Sequence, residues 1–337
     1  MGWGSAHVAR RRRRAQSWIA LALSAAGCGV GSLDAGADQP KGKLPVDYRN
    51  PVVLCNDGAY DNWQGEYAML FASAGTLSLA GIVINNSPAW TSLSDNLSGW
   101  QQMVAGARQS GLKNIPDPVS SVGSALVRPS DGSIGSTVPN RSQGALFIVE
   151  TSKQLSRSYR PLVVVTGGRL TDVADAYLVD PTVADRIVVL SSLGSSNSGG
   201  GEMGIPNGEM DPWADVIVAQ KLRYIQISAF YDQTADLPAS LLPQLPSNAF
   251  TAWMQAKQSQ IFNDVKAADQ VGVVSLGIPE FVSAVSRDAQ EGTATNNLPV
   301  LVSNDNGPIW LVTQINGALA TARFWQMLLD ATTFTSH

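Results

Sequence analysis

Short β-branched runs return along this chain, each followed by a stretch with helical spacing. The runs are Val52-Val53-Leu54 and residues 79–84, 162–165, 186–190 and 224–227. Between them, residues 64–74 place Tyr67, Ala68, Leu70 and Phe71 three and four positions apart, and residues 96–109, 142–155, 171–178 and 212–221 also read as helices. Strands of about five residues joined by helical crossovers of about ten or more cannot form hairpins. They imply right-handed crossovers and an α/β fold, with a mostly parallel central sheet covered by helices on both faces. No internal repeat is visible.

In such sheets ligands bind beyond the carboxyl ends of the strands. Asp57, Asn85 and Gly168 each fall just after a strand, so the topology gathers them at one edge. The stretch NDGAYDNW puts Asp57 and Asp61 four residues apart at the end of the first run, in a chain with only 15% charged residues. Turn and helix-cap roles would account for such acids; a metal and sugar site is the alternative. The Gly/Ser-rich stretch 191–201 lacks the Lys-Ser/Thr of a phosphate loop and reads as a lid or connecting loop.

The first residues carry five arginines, Arg10 to Arg14, and then a nine-residue apolar run from Trp18 to Ala26. That run is far short of the roughly 20 residues needed to span a bilayer. Small residues then abut Cys28. This pattern predicts a lipoprotein-type signal peptide over residues 1–27, with Cys28 as the lipidated residue, a flexible tether over 28–45, and one domain over 46–337. The expectation is an exported protein held to a bacterial membrane only through its N-terminal lipid. Without the leader, 18 basic side chains face 27 acidic ones, a formal charge near −9. That balance argues against a nucleic-acid partner. With Cys28 lipidated, Cys55 has no disulfide partner and reads as a small core residue.

Several segments resemble the nucleoside hydrolase family. PLVVVTGGRLTDVADAYLVDPTVADRIVVLSSLG is similar to its central segment, NGEMDPWADVIVAQ to its Asn-x-x-x-Asp-Pro-x-Ala segment, and PVVLCNDGAYDNWQGEYAMLFA to its first strand and aspartate cluster. The helix around Arg323-Phe324-Trp325 resembles the family's last helix. The family cluster is Asp-x-Asp-Pro-Gly-x-Asp-Asp. Here its second and third aspartates are Asp57 and Asp61, while Cys55 and Asn62 replace the first and fourth.

The resemblance implies Asp57 as general base and Ca²⁺ ligand, Asp61 as holder of ribose hydroxyls, and Asn62 as an uncharged metal ligand. It implies Asp269 as the remaining carboxylate ligand, a backbone carbonyl at or near Thr171 completing the shell, and Asn207 on the ribose. Ile205 stands where the family has Glu, and Ala268 where it has His. The family is commonly oligomeric, so the resemblance admits a homo-oligomer.

The implied reaction is Ca²⁺-dependent hydrolysis of the N-glycosidic bond of nucleosides or related N-ribosides. Such cleavage develops an oxocarbenium-like sugar. Ca²⁺ takes six to eight oxygens at about 2.3–2.6 Å, and an adjacent carboxylate can take a proton from its water. The leaving base is less well served. The two histidines are His7 and His337, at the chain ends. Trp90, Trp213 and Tyr231 are candidates for stacking on a base, and Glu202 and Glu209 for an acid. The competing expectations are a non-catalytic sugar- or nucleoside-binding lipoprotein of the same fold, and a surface lipoprotein with a vestigial pocket.

Overall fold

The computed structural model describes residues 39–60, 62–121, 124–192, 194, 207–229, 239–258, 269–291, 298–330 and 332–334. The compact unit is Pro40–His337. The leader and Cys28 lie outside the described residues, as do Asp61, Glu202, Ile205, Tyr231, Ala268, His7 and His337.

The chain runs β1 (Pro51–Asn56), α1 (Gln64–Ser73), β2 (Ser78–Ile84), α2 (Leu93–Gln109), β3 (Pro118–Ser120), α3 (Gln143–Leu155), β4 (Leu162–Gly167), α4 (Thr171–Val179) and β5 (Ile187–Ser192). It continues through α5 (Pro212–Lys221), β6 (Arg223–Ile227), α6 (Ala249–Gln258), α7 (Gln270–Gly277), β7 (Val282–Gln290), β8 (Leu301–Ser303), β9 (Ile309–Ile315) and α8 (Gly317–Leu329). These strands form one sheet in the order β3-β2-β1-β4-β5-β6-β9-β7-β8. All pairings from β3 to β9 are parallel; β7 pairs antiparallel with both β9 and β8.

Side-chain alternation along the strands builds two cores. Val52 and Leu54 of β1 join Ile82, Val163 and Leu190 under α1, α2, α7 and α8. Val53 and Cys55 join Val83, Val164 and Val189 under α3, α4 and α5. Each fully buried aliphatic side chain contributes about 1.5–3 kcal/mol, so the strands that read as near-continuous apolar runs are those covered on both faces. Leu44 is also buried in the first core. Gly42, at φ +94°, lies against Pro279, so the packed chain begins ahead of residue 46.

Local caps set the start of some helices. Ser92 Oγ accepts from Asp95 N at 3.3 Å, which starts α2 at Leu93 instead of the expected residue 96. Asp211 caps α5 through Ala214 N, with Pro212 in the first turn.

The order of strands fixes where a ligand can enter. From β1 the chain steps outward to β2 and β3, then returns to β4 on the other side of β1. The crevice beyond the carboxyl ends of β1 and β4 is therefore the switch point of the sheet, the place where α/β folds of this type take their ligands.

Candidate functional site

β1 ends at Asn56, whose side chain holds the turn that follows. Its Oδ1 accepts from Gly58 N at 2.8 Å and Trp100 Nε1 at 3.1 Å, and its Nδ2 donates to Gln64 Oε1 at 2.8 Å. Asp57 comes next and is 1% exposed. Its carboxyl group lies over Gly168, where a Cβ would come within 2.8 Å of Asp57 Cγ. Gly168 also has φ +125°, a conformation L side chains rarely adopt. A Cβ on the preceding Gly167 would run into Asp269 and Gln64. Consecutive glycines, about 3.8 Å apart at Cα, thus let Asp57 and Asp269 close on the end of β4 together.

Asp269 precedes α7 and is tied down at every oxygen. Its carbonyl accepts from Gln64 Nε2 at 3.0 Å and Ser192 Oγ at 3.2 Å. Its Oδ2 accepts from Asn62 Nδ2 at 2.9 Å, and its Oδ1 from Asn207 Nδ2 at 2.9 Å. Asn207 Nδ2 also donates to Ser192 O at 2.7 Å. The Asn62 amide is fixed at both ends, because its Oδ1 accepts from Gln64 N at 2.8 Å. Behind it, the buried Lys257 ammonium donates to Asn62 O and pairs with Glu66 Oε1 at 2.9 Å.

A second set of acids lies around α4. Asp172 accepts from Ser121 Oγ at 2.5 Å, Ser142 Oγ at 2.9 Å and Asn85 Nδ2 at 3.1 Å. Burial raises its pKa against those three hydrogen bonds. Asp211 accepts from Thr171 Oγ1 at 2.6 Å and Leu126 N at 2.9 Å. Burial raises its pKa too. Arg169 donates to Asn86 Oδ1. Burial lowers its pKa, opposed by attraction to Asp211, Asp172 and Asp57. It is a fixed cation at the same edge.

Burial pushes the Asp215 carboxyl up to about 8, opposed by the Tyr224 hydroxyl and aided by Asp211. The folded value lies above the ordinary one, so the folded chain keeps a proton that the unfolded chain has released. The stabilisation is complete below about pH 4 and is lost as the pH climbs through about 8. Asp215→Asn should flatten this part of the stability profile and raise stability relative to wild type at alkaline pH. Urea unfolding at a series of pH values checks it; equal slopes for the two proteins would be the contrary result.

Of the residues the sequence pointed to, Asn62, Asn207 and Asp269 are joined by hydrogen bonds, and Asp57 lies at the adjoining glycine. Thr171 opens α4, where its hydroxyl serves Asp211. Cys55 is 2% exposed and packs in the second core. Burial, then Asp172, holds its thiol protonated. Trp90 lies on the turn beside Asp57, where a Cβ on Gly58 would come within 2.8 Å of its indole. Trp213 is buried, donates to Thr137 Oγ1 at 2.9 Å and carries the Arg128 guanidinium over its ring, so it is a packing residue. Glu209 is exposed in the 3-10 turn Asn207–Met210.

Sequence reasoning passed over Asn56, Gln64, Ser192 and Arg169. For Asn56, Ser192 and Arg169 the available signal was a polar side chain at or just past the end of a buried strand; Gln64 opens α1 and carried none. A cleft of about 300 Å³ between the C-terminal ends of α1 and α8 holds none of these residues.

The Ca²⁺ shell implied by the resemblance can be compared with these contacts. Among the described residues no group of three His, Cys, Asp or Glu side chains could hold a metal ion. Asn62 turns its NH₂ group, not its oxygen, toward Asp269, and its oxygen is taken by Gln64 N. Both Asp269 carboxylate oxygens already accept amide hydrogens. As arranged, these side chains do not fit the implied ion.

An open, mostly parallel α/β sheet with acids and amides massed at its switch point defines the class of protein. The architecture is shared with solved nucleoside hydrolases. A plant nucleoside hydrolase, PpNRh1, aligns with TM-score 0.62 over 83% of this chain and 99% of its own, at 13% identity. An inosine-uridine preferring nucleoside hydrolase from Bacillus anthracis aligns with TM-score 0.60 over 83% of this chain and 99% of its own, at 15% identity. A structure described as that of an effector protein aligns with TM-score 0.54 over 89% of this chain and 96% of its own, at 11% identity. No protein-family model matches the sequence, and no curated protein matches it either.

Proposed function

We propose that this chain binds a nucleoside or related N-riboside at the switch point and hydrolyses its N-glycosidic bond. The observation that carries this reading is the meeting of Asp57, Asn62, Asn207 and Asp269 beyond β1 and β4, on a fold shared with nucleoside hydrolases. Asp57 takes a proton from the attacking water, whose oxygen bonds to the sugar carbon as the N-glycosidic bond breaks; the base leaves with the bonding electrons and takes its proton from solvent. Both Asn207 amide hydrogens are engaged, by Ser192 O and Asp269 Oδ1, which fixes its orientation and leaves Oδ1 to accept from a sugar hydroxyl. Asp61 is assigned the remaining ribose hydroxyls. Trp90, on the turn beside Asp57, offers an apolar face to the base. No step is assigned to a metal.

The test is ribose release from a panel of purine and pyrimidine nucleosides by purified, folded protein. Release from at least one nucleoside is expected; silence across the panel from a protein with a cooperative melt removes the catalytic reading. A second reading, ligand binding without turnover, is favoured by the complete hydrogen-bonding of the Asp269 carboxylate by Asn62 and Asn207. Calorimetry with the same panel separates the two, since binding with no product supports the second.

A further inference from the structure

We infer that a direct amide–carboxylate–amide chain, Asn62–Asp269–Asn207, assembles this site without a divalent cation, and that residue 62 is the switch between the two modes of assembly. The inference does not rest on turnover and holds equally for a hydrolase or a binding protein.

The geometry at residue 62 is the starting point. One end of its side chain must accept, because Gln64 N–H points at it from 2.8 Å. The other end lies 2.9 Å from Asp269 Oδ2 and must donate. An asparagine satisfies both demands in one orientation, and flipping the amide would break both bonds. An aspartate here could accept from Gln64 N equally well. Its second oxygen would then face the Asp269 carboxylate at hydrogen-bond distance, with both groups buried. Two carboxylates so placed repel unless a proton or a cation lies between them. A hard divalent cation with carboxylate ligands answers that demand. The asparagine removes it.

The rest of the surroundings agree. Asp269 Oδ1 is closed by the Asn207 amide, and the Asp269 backbone oxygen by Gln64 and Ser192. Positive charge at this edge comes from the protein itself. Arg169 lies within electrostatic reach of Asp57, and Lys257 holds the Asn62 carbonyl.

Thermal melts and calorimetry on the full chain and on Asn62→Asp test this, each with EDTA and with CaCl₂ at about 5 mM, above the affinity of weak extracellular sites. The wild type is expected to melt at the same temperature in both and to give no saturable heat with Ca²⁺. Asn62→Asp is expected to melt roughly 5 °C or more lower in EDTA, and to recover with Ca²⁺ at one ion per chain. A saturable Ca²⁺ shift in the wild type overturns the proposal. So does a folded Asn62→Asp variant that ignores Ca²⁺, because the amide would then not stand in the ion's place. If Asn62→Asp does not fold in either condition, the wild-type titration decides alone. Nucleoside turnover enters none of these readouts, so loss of the catalytic reading leaves this one standing.

Discussion

Asp57→Asn should keep its melting temperature within a few degrees of wild type and lose about 10²–10⁴-fold in kcat/KM for ribose release. The substitution is nearly isosteric, which matters because Asp57 is 1% exposed and rests against Gly168. An amide fills the same space but cannot take a proton from water. The loss corresponds to about 3–5 kcal/mol of transition-state stabilisation. It should fall on kcat, with ligand affinity by calorimetry changed much less. A variant that retains wild-type turnover would remove Asp57 from the chemistry and with it the proposed base. Gly168→Ala approaches the same contact from the other side, since its Cβ has no room beside the carboxyl group.

Lys257→Met should be the most destabilising single change named here, at about 3–5 kcal/mol in denaturant unfolding. Lys257 and Glu66 are 1% and 0% exposed, with Nζ 2.9 Å from Oε1 and 3.1 Å from Oε2. Trp253 Nε1 also donates to Glu66 Oε1 at 3.2 Å, and the ammonium lies 5.0 Å from the centre of the Trp63 ring. Methionine fills the space of the aliphatic stem but leaves a buried carboxylate without its cation. Neutralising both members, as Glu66→Gln with Lys257→Met, should return part of the loss, because removing a whole buried pair costs less than orphaning one partner. If the single variant is within about 1 kcal/mol of wild type by the same measurement, the pair does not carry the stability assigned to it. The single variant should also weaken nucleoside binding, since Lys257 holds the Asn62 carbonyl.

The parallel half of the sheet could be read from the sequence because its strands are buried on both faces and stand out as β-branched runs. β1, β4, β5 and β6 all lie where those runs predict, and α2, α3 and α5 between them start at the side-chain caps Ser92, Ser142 and Asp211. The antiparallel β9-β7-β8 end was not legible. VSAVSRDAQ in β7 mixes charge and small residues because its side chains are mostly only half-covered. Its partner β9 inserts beside β6, a pairing that no local pattern encodes.

The site was half legible. Asp57 stood out by its place after the first strand, and Asn62, Asn207 and Asp269 came from family resemblance; hydrogen bonds join the last three, while Asp57 lies at Gly168. Which atom of Asn62 faces Asp269 could not come from sequence, because it depends on Gln64 N. Arg169 follows the Gly167-Gly168 pair at the end of β4, and its surroundings depend on Asp57, Asp172 and Asp211, which come from three separate segments. Trp213 looked like a stacking ring and is a core residue, since helical position, not residue type, decides what an indole touches.

The contacts that assemble the site join residues 62 and 269, which are 207 positions apart, and residues 64 and 269, which are 205 apart. Bringing such distant segments together carries a loop-closure cost that local helices do not. Any ligand contact made through Asp269 therefore forms late in folding. A chain ending before residue 269 lacks the carboxylate that joins Asn62 to Asn207, so the two amides have no common partner until the α7 segment has been added.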